Sequence, residues 1–262
     1  MREQIIPIAE KAGEILMKYF KSGLDVSYKN GDKFDPVTAA DKEADDFIRS
    51  QLSEIFPDDL ILSEENENIP TDYSKRIWMV DPLDGTNAFI SGIDSFSIII
   101  GLWGADEILF GLVYAPARNK MYVAEKNKGA FERQIDGGFK KISVSNVRNL
   151  QEARLITRNS SKDKRSLDDL TEKFTVSGVI ENSRTKVARI AAGEAEAHIN
   201  TNFRACKWDT LAPQLILEEA GGVMVDLDGK ALDYKQLSTK WERSYIATSS
   251  TGILQQILDV IK

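Results

Sequence analysis

Trp78-Met79-Val80-Asp81-Pro82-Leu83-Asp84-Gly85-Thr86-Asn87 is the stretch on which the reading of this 262-residue chain turns. Its apolar start predicts a buried strand, Ile77–Val80, that ends at Asp81. A turn containing Pro82 then delivers Asp84 three residues later, and Gly85-Thr86 leads into a helix. Two carboxylates at a strand end can hold a hard divalent cation, and backbone amides at the following helix start can receive a phosphate oxygen. Asp, Pro and Gly are also ordinary turn residues. Val225-Asp226-Leu227-Asp228-Gly229 has the same look and reads as a tight hairpin turn and no more.

Outward from this stretch, the apolar spacing predicts an amphipathic first helix from Ile5 to Phe20 and a second after Thr38, ending before Pro57. Short strands are expected at Leu60–Leu62, Ser95–Leu102, Ile108–Tyr114 and Met121–Ala124, the last three as an antiparallel meander. Lys29–Asp32 reads as a loop. The second half predicts strands at Leu155–Thr157, Ala197–Ile199, Val223–Val225 and Ser244–Ala247. Its helices fall at Lys186–Ala192, Asp209–Ala220 with a stop at Gly221-Gly222, and Gly252–Ile261. The class is mixed α and β in layers. A soft boundary near Ser145–Gln151 separates two halves that share one domain over residues 1–262.

Composition removes several chemistries. Forty-one acids against 34 Lys and Arg give a net charge of −7, so no basic field exists for a nucleic-acid polymer. One Cys (Cys206) and one His (His198) exclude an internal disulfide and any Cys- or His-rich metal site within the chain. Metal chemistry must rest on oxygen ligands. With no apolar run of membrane-spanning length and no secretory pattern at Met1, the expectation is a soluble cytoplasmic protein.

Three further acidic places supply such oxygens. Glu64-Glu65 follows a strand, Asp41 stands three residues after Thr38 at a helix start, and Asp209 opens an apolar helix. Capping alone explains Asp41 and Asp209 as well. Trp78 and Trp208 flank these motifs and are expected to wall the site; Trp103 and Trp241 read as packing, and His198 and Cys206 as core residues without a catalytic role.

The ordered set Asp35-Pro36-Val37-Thr38-Ala39-Ala40-Asp41, Glu64-Glu65, Asp81-Pro82-Leu83-Asp84-Gly85-Thr86 and Trp208-Asp209…Glu219-Ala220-Gly221-Gly222 closely resembles the inositol monophosphatase superfamily. The resemblance implies an αβαβα layered sandwich and magnesium-dependent, often lithium-sensitive, hydrolysis of a small phosphate ester, with two or three Mg²⁺ ions. By motif, Glu64, Asp81 and the Leu83 carbonyl match one metal site, and Asp81, Asp84 and Asp209 a second. Asp41 and Thr86 match the pair that activates water. Gly85, Thr86, Ser183, Lys186 and Asp209 fall at substrate-binding positions. The resemblance is compatible with a homodimer.

Within the superfamily, Lys207-Trp208-Asp209-Thr210-Leu211-Ala212-Pro213 and Lys186, seven residues before Gly193, are most similar to 3'(2'),5'-bisphosphate nucleotidases. A Lys there can meet a second phosphate as a point charge. Asn200 stands where inositol enzymes carry a substrate-binding Glu, whereas Asn87-Ala88-Phe89-Ile90 lacks a Lys common in nucleotidases. Inositol-1-monophosphatase, or another sugar-phosphate phosphatase, is therefore the alternative. Two other readings compete. A haloacid-dehalogenase phosphatase needs an Asp nucleophile two residues before the second Asp, and Pro82 stands there; Asp226-Leu227-Asp228 has that spacing but no following Thr. A non-catalytic phospholigand sensor would not need the full acidic set.

Overall fold

The computed structural model describes residues 1–20, 26–28, 36–66, 69–156, 183–200, 205–236, 238–241 and 244–261. Lys29–Asp32, Asp35 and Thr157 therefore lie outside the described residues. Twelve strands and six α-helices are seen among those described. Helices α1 (Arg2–Tyr19) and α2 (Ala39–Ile55) follow the apolar spacing read from the sequence. Between them a short ribbon pairs β1 (Val26–Tyr28) with β2 (Pro36–Thr38).

The central element is a seven-stranded sheet in chain order: β3 (Leu60–Ser63), β4 (Ile77–Asp84), β5 (Ser97–Gly104), β6 (Glu107–Ala115), β7 (Lys120–Glu125), β8 (Gly129–Arg133) and β9 (Phe139–Ile142). Only β3 and β4 run parallel. Both faces of its central strands are buried, which is why those strands read as unbroken apolar runs rather than as alternating ones. Trp78, Val80, Ile98, Ile100 and Leu112 face α1 and α2. Ile77, Met79, Ile99 and Val113 face the other way, toward helix α5 (Lys207–Glu219).

Helix α5 can lie close to the sheet because Gly101 on β5 and Gly111 on β6 are paired across the ladder. A Cβ on Gly111 would fall 2.9 Å from Ala212 Cα and 2.7 Å from Ala212 O, and one on Gly101 would collide with Leu211. Two missing methyl groups thus set how deeply the helix seats. Beside α5 lies α4 (Thr185–Ala191), preceded by the single helical turn α3 (Thr86–Ile90) after β4. A second, antiparallel sheet in the order β10 (Ala197–Ile199), β12 (Tyr245–Thr248), β11 (Val223–Asp226) covers α4 and α5. Helix α6 (Thr251–Ile261) closes it through Ile253, Leu254 and Ile257 packed on Ile199, Val225 and Ile246. The layers are α1/α2, large sheet, α4/α5, small sheet and α6, the αβαβα sandwich expected.

Two readings are corrected, and two strands carry no signal in the sequence. Strand β4 does not stop at Asp81 but continues through Pro82 to Asp84. Its parallel partner β3 ends opposite Val80, so the N–H that Pro82 lacks is not needed on that side, and a register shift between Asp81 and Asp84 absorbs it on the β5 side. Leu155 makes an isolated bridge to Ala197 rather than a strand. Strands β8 and β9 went unread because β9 is short and its Lys140 and Lys141 are exposed, so no apolar alternation announces it.

Candidate active site

Four chain segments far apart in sequence converge at one end of the large sheet: the start of α2, the end of β4, the residues before α4, and the start of α5. Asp81, Asp84 and Asp209 each offer a carboxylate oxygen, all within 4.8 Å of one another. They are buried, at 1%, 8% and 7% exposure. Such a like-charge cluster is costly in a poorly solvated place unless a cation shares it. Burial, then the charges of Glu64, Asp84 and Asp209, push the Asp81 carboxyl well above the usual carboxylate range. Burial raises Asp84 too, with Arg184 pulling the other way. Buried oxygen donors with mutual repulsion fit a hard divalent cation, and a soft metal has no Cys or His here to favour it.

One oxygen of each carboxylate is held by a nearby backbone donor. Asp209 Oδ2 accepts the Cys206 backbone N–H at 2.6 Å in a capping box on α5. Asp84 Oδ2 accepts Ser97 Oγ at 3.1 Å and the Arg184 backbone N–H. Asp81 Oδ1 accepts the Leu83 N–H at 3.0 Å. No donor among the described residues hydrogen-bonds Asp84 Oδ1 or Asp209 Oδ1. At Asp209 the capping box uses Oδ2 and leaves Oδ1 without a donor among the described residues.

Asp41 follows the same rule. Its Oδ2 closes the α2 capping box, accepting the Thr38 N–H at 2.9 Å and the Thr38 hydroxyl. Its Oδ1 lies 3.5 Å from Thr86 Oγ1, whose hydroxyl donates to the Leu83 carbonyl at 3.1 Å. The Asp41–Thr86 pair is thus tied to β4 beside the carboxylates. Thr86 can approach because Gly85 turns the chain with φ +92°; a Cβ there would also meet Ser95 O at 2.8 Å. Glu64 continues the β3 ladder through its N–H to Val80 O at 3.1 Å, and its charge bears on Asp81.

Of the residues read as substrate-side, Ser183 and Lys186 lie just before and in α4. Lys186 is buried, at 2% exposure, with Nζ on the Ser183 carbonyl at 2.9 Å. Its charge still bears on Asp84 and on His198. Ser183 is buried as well, its hydroxyl 2.6 Å from Thr185 Oγ1. Trp78 does not wall the site: it is fully buried between Phe56 and Phe110 on the α1/α2 side, its Nε1 donating to Asp59. Trp208 is half-buried against the α5-side core. Trp241 does more than pack, donating to the Cys206 carbonyl and Thr210 Oγ1 where α5 begins. His198 is buried, with Nδ1 3.1 Å from the Ile156 carbonyl. Asp226–Gly229 is a turn, as read, with Asp228 exposed.

Two residues escaped sequence reasoning. Arg184 points its guanidinium at the cluster, 3.1 Å from Asp209 Oδ2. Lys207 is fully buried, with Nζ donating to Tyr73 Oη at 2.6 Å and to the Gln236 carbonyl; burial brings its ammonium down to about 8. Lys207 stood inside a quoted motif, where its proximity to Asp209 was the only signal. Arg184 carried no signal, because its partners lie 25 and 100 residues away.

The sequence matches the inositol monophosphatase family over residues 1–258. It is 33% identical to the 3'(2'),5'-bisphosphate nucleotidase CysQ of Salmonella typhimurium, over 89% of this chain and 94% of that protein. It is 31% identical to the fructose-1,6-bisphosphatase/inositol-1-monophosphatase of Thermotoga maritima, over 86% and 84%. The solved structure of the extragenic suppressor protein SuhB from Bartonella henselae superposes with a TM-score of 0.84 at 28% identity, covering 99% of this chain and 97% of that one. The chain belongs to the inositol monophosphatase family of phosphatases.

Proposed function

We propose that this phosphatase is magnesium-dependent and removes the 3'-phosphate of a bisphosphorylated nucleotide, 3'-phosphoadenosine 5'-phosphate. The observation that carries the metal-dependent reading is the buried Asp81–Asp84–Asp209 cluster with the Asp41–Thr86 pair beside it. Glu64, Asp81, the Leu83 carbonyl, Asp84 and Asp209 would hold two or three magnesium ions. Bound magnesium supplies charge neutralisation for a phosphate dianion and lowers the pKa of water at the site.

The chain's own residues do the rest. Thr86 Oγ1 orients the attacking water, and the proton leaves it toward Asp41 Oδ1 as the water oxygen closes on phosphorus. The ester P–O bond breaks on the opposite side, and the leaving alkoxide takes a proton from solvent. Gly85 and Thr86 supply amides for a non-bridging phosphate oxygen. No covalent enzyme intermediate is needed.

The nucleotide reading is supported by the Lys207–Pro213 sequence form, by CysQ relatives at 29% and 33% identity, and by cationic side chains on the Asp84–Asp209 side, where Lys186 and Ser183 back the site. The Thermotoga relative favours a second reading, a sugar- or inositol-phosphate phosphatase. A phosphate-release panel with Mg²⁺ decides between them, comparing 3'-phosphoadenosine 5'-phosphate, inositol 1-phosphate, fructose 1,6-bisphosphate and histidinol phosphate. Highest kcat/KM on the nucleotide is expected; a clear preference for inositol 1-phosphate would reject it.

A further inference from the structure

We propose that Arg184 is the specificity residue of this site, contacting an anionic group carried on the leaving-group side of the substrate. The inference rests on the in-line phosphatase reading above. Arg184 ends the segment before α4, and its side chain is 16% exposed, so it is sheltered yet open to the site. Its Nη2 donates to Asp209 Oδ2 at 3.1 Å and its Nη1 to Tyr245 Oη at 3.4 Å, two contacts that fix the plane of the guanidinium. Its Nε–H is buried and has no acceptor among the described residues; the nearest carboxylate oxygen, Asp84 Oδ1, is 4.0 Å away. An oriented guanidinium with one buried donor unspent is a receptor for an anionic oxygen.

The position has a chemical meaning. In an in-line displacement the nucleophile and the leaving group lie on opposite sides of phosphorus. Water activation belongs to Asp41 and Thr86, at the α2 and β4 side of the cluster. Arg184 is held against Asp209 and Asp84, and on this proposal it meets the part of the substrate that departs. A permanent positive charge among metal-binding carboxylates also works against the binding of a cation. That penalty is offset only when the ligand brings further negative charge, as a bisphosphate does. Lys186 is buried with Nζ on the Ser183 carbonyl, and its charge bears on Asp84 beside Arg184.

The test compares wild type with Arg184→Ala and Arg184→Lys on 3'-phosphoadenosine 5'-phosphate and inositol 1-phosphate, with a calorimetric Mg²⁺ titration of each protein. Arg184→Ala should lose about 10- to 100-fold more kcat/KM on the bisphosphate than on the monophosphate. It should bind Mg²⁺ as tightly as wild type or more tightly. Arg184→Lys, which keeps the charge but not the fork, should recover part of the bisphosphate rate. Equal losses on both esters together with weaker Mg²⁺ binding would make Arg184 a structural pin for Asp84 and Asp209 and overturn the proposal. Unchanged discrimination in Arg184→Ala would overturn it too. A wild-type protein that releases phosphate from neither ester would overturn the substrate reading on which the proposal rests, a failure visible before any substitution is made.

Discussion

Val80-Asp81-Pro82-Leu83-Asp84-Gly85 and Val225-Asp226-Leu227-Asp228-Gly229 are near copies in sequence, and the fold gives them opposite fates. In both, the first Asp accepts the backbone N–H two residues on, at 3.0 Å for Asp81 and 2.9 Å for Asp226. In both, the Gly has a left-handed φ, +92° at Gly85 and +81° at Gly229. At Asp226 the same Oδ1 also accepts the Lys230 N–H at 2.8 Å, Asp228 is exposed, and the segment turns back on itself. At Asp81 the chain runs on as strand, and α2, α4 and α5 bring Asp41, Arg184 and Asp209 against it. Local turn chemistry is common to both. What separates a site from a turn is the convergence of other elements on carboxylate oxygens that the turn leaves over.

The largest contrast should come from neutralising the second Asp of each pair. Asp84→Asn should lower kcat/KM by at least about a thousandfold, as loss of a charge that holds metal and phosphate together. Asp228→Asn should leave the rate within about twofold and stability within about 0.5 kcal/mol. A comparable loss of activity at Asp228 would break the comparison and revive the haloacid-dehalogenase reading.

Next in size is the Asp41–Thr86 pair, proposed above to activate water, which has no counterpart in the Asp226 turn. Asp41→Asn keeps an oxygen for the capping box but loses the base, so kcat should fall about 10²- to 10⁴-fold with KM little changed. A change confined to KM would leave Asp41 a capping or binding residue only. Thr86→Ala should follow the same pattern less steeply.

The smallest contrast is between the two glycines. Gly85→Ala forces a Cβ to 2.8 Å from the Ser95 carbonyl, which is backbone and cannot yield. Gly229→Ala meets only the end of the Leu258 side chain, at 3.0 Å. Denaturant unfolding should show a cost of about 2–3 kcal/mol at Gly85, with a loss of activity. Gly229→Ala should cost about 1 kcal/mol with activity retained. Equal costs and equal activities would mean that the turn after β4 is not held as tightly as the comparison requires.

Much of this was legible along the chain because it is local. The α2 start was readable from Thr38-x-x-Asp41, the α5 stop from Gly221-Gly222, and the buried central strands from their continuous apolar runs. The clustered carboxylates Asp81, Asp84 and Asp209 were legible because acids at strand ends and helix starts are placed by local structure. Arg184 was not, since its meaning lies in contacts to Asp84 and Asp209 that only tertiary packing creates. Nor was the burial of Lys186, because a seven-residue helix covered on both sides looks polar and solvated in sequence. Trp78 misled by adjacency: on a strand, residues three apart in opposite phase face different layers, and Trp78 faces α1 and α2.

Calorimetric titration of Mg²⁺ into wild type and Asp81→Asn tests most directly that this strand end, unlike its near copy, is a metal site. Wild type should bind magnesium, and Asp81→Asn, still folded because it removes a repelled buried charge, should bind at least about tenfold more weakly. No binding to wild type, or undiminished binding to a folded Asp81→Asn, would contradict the account.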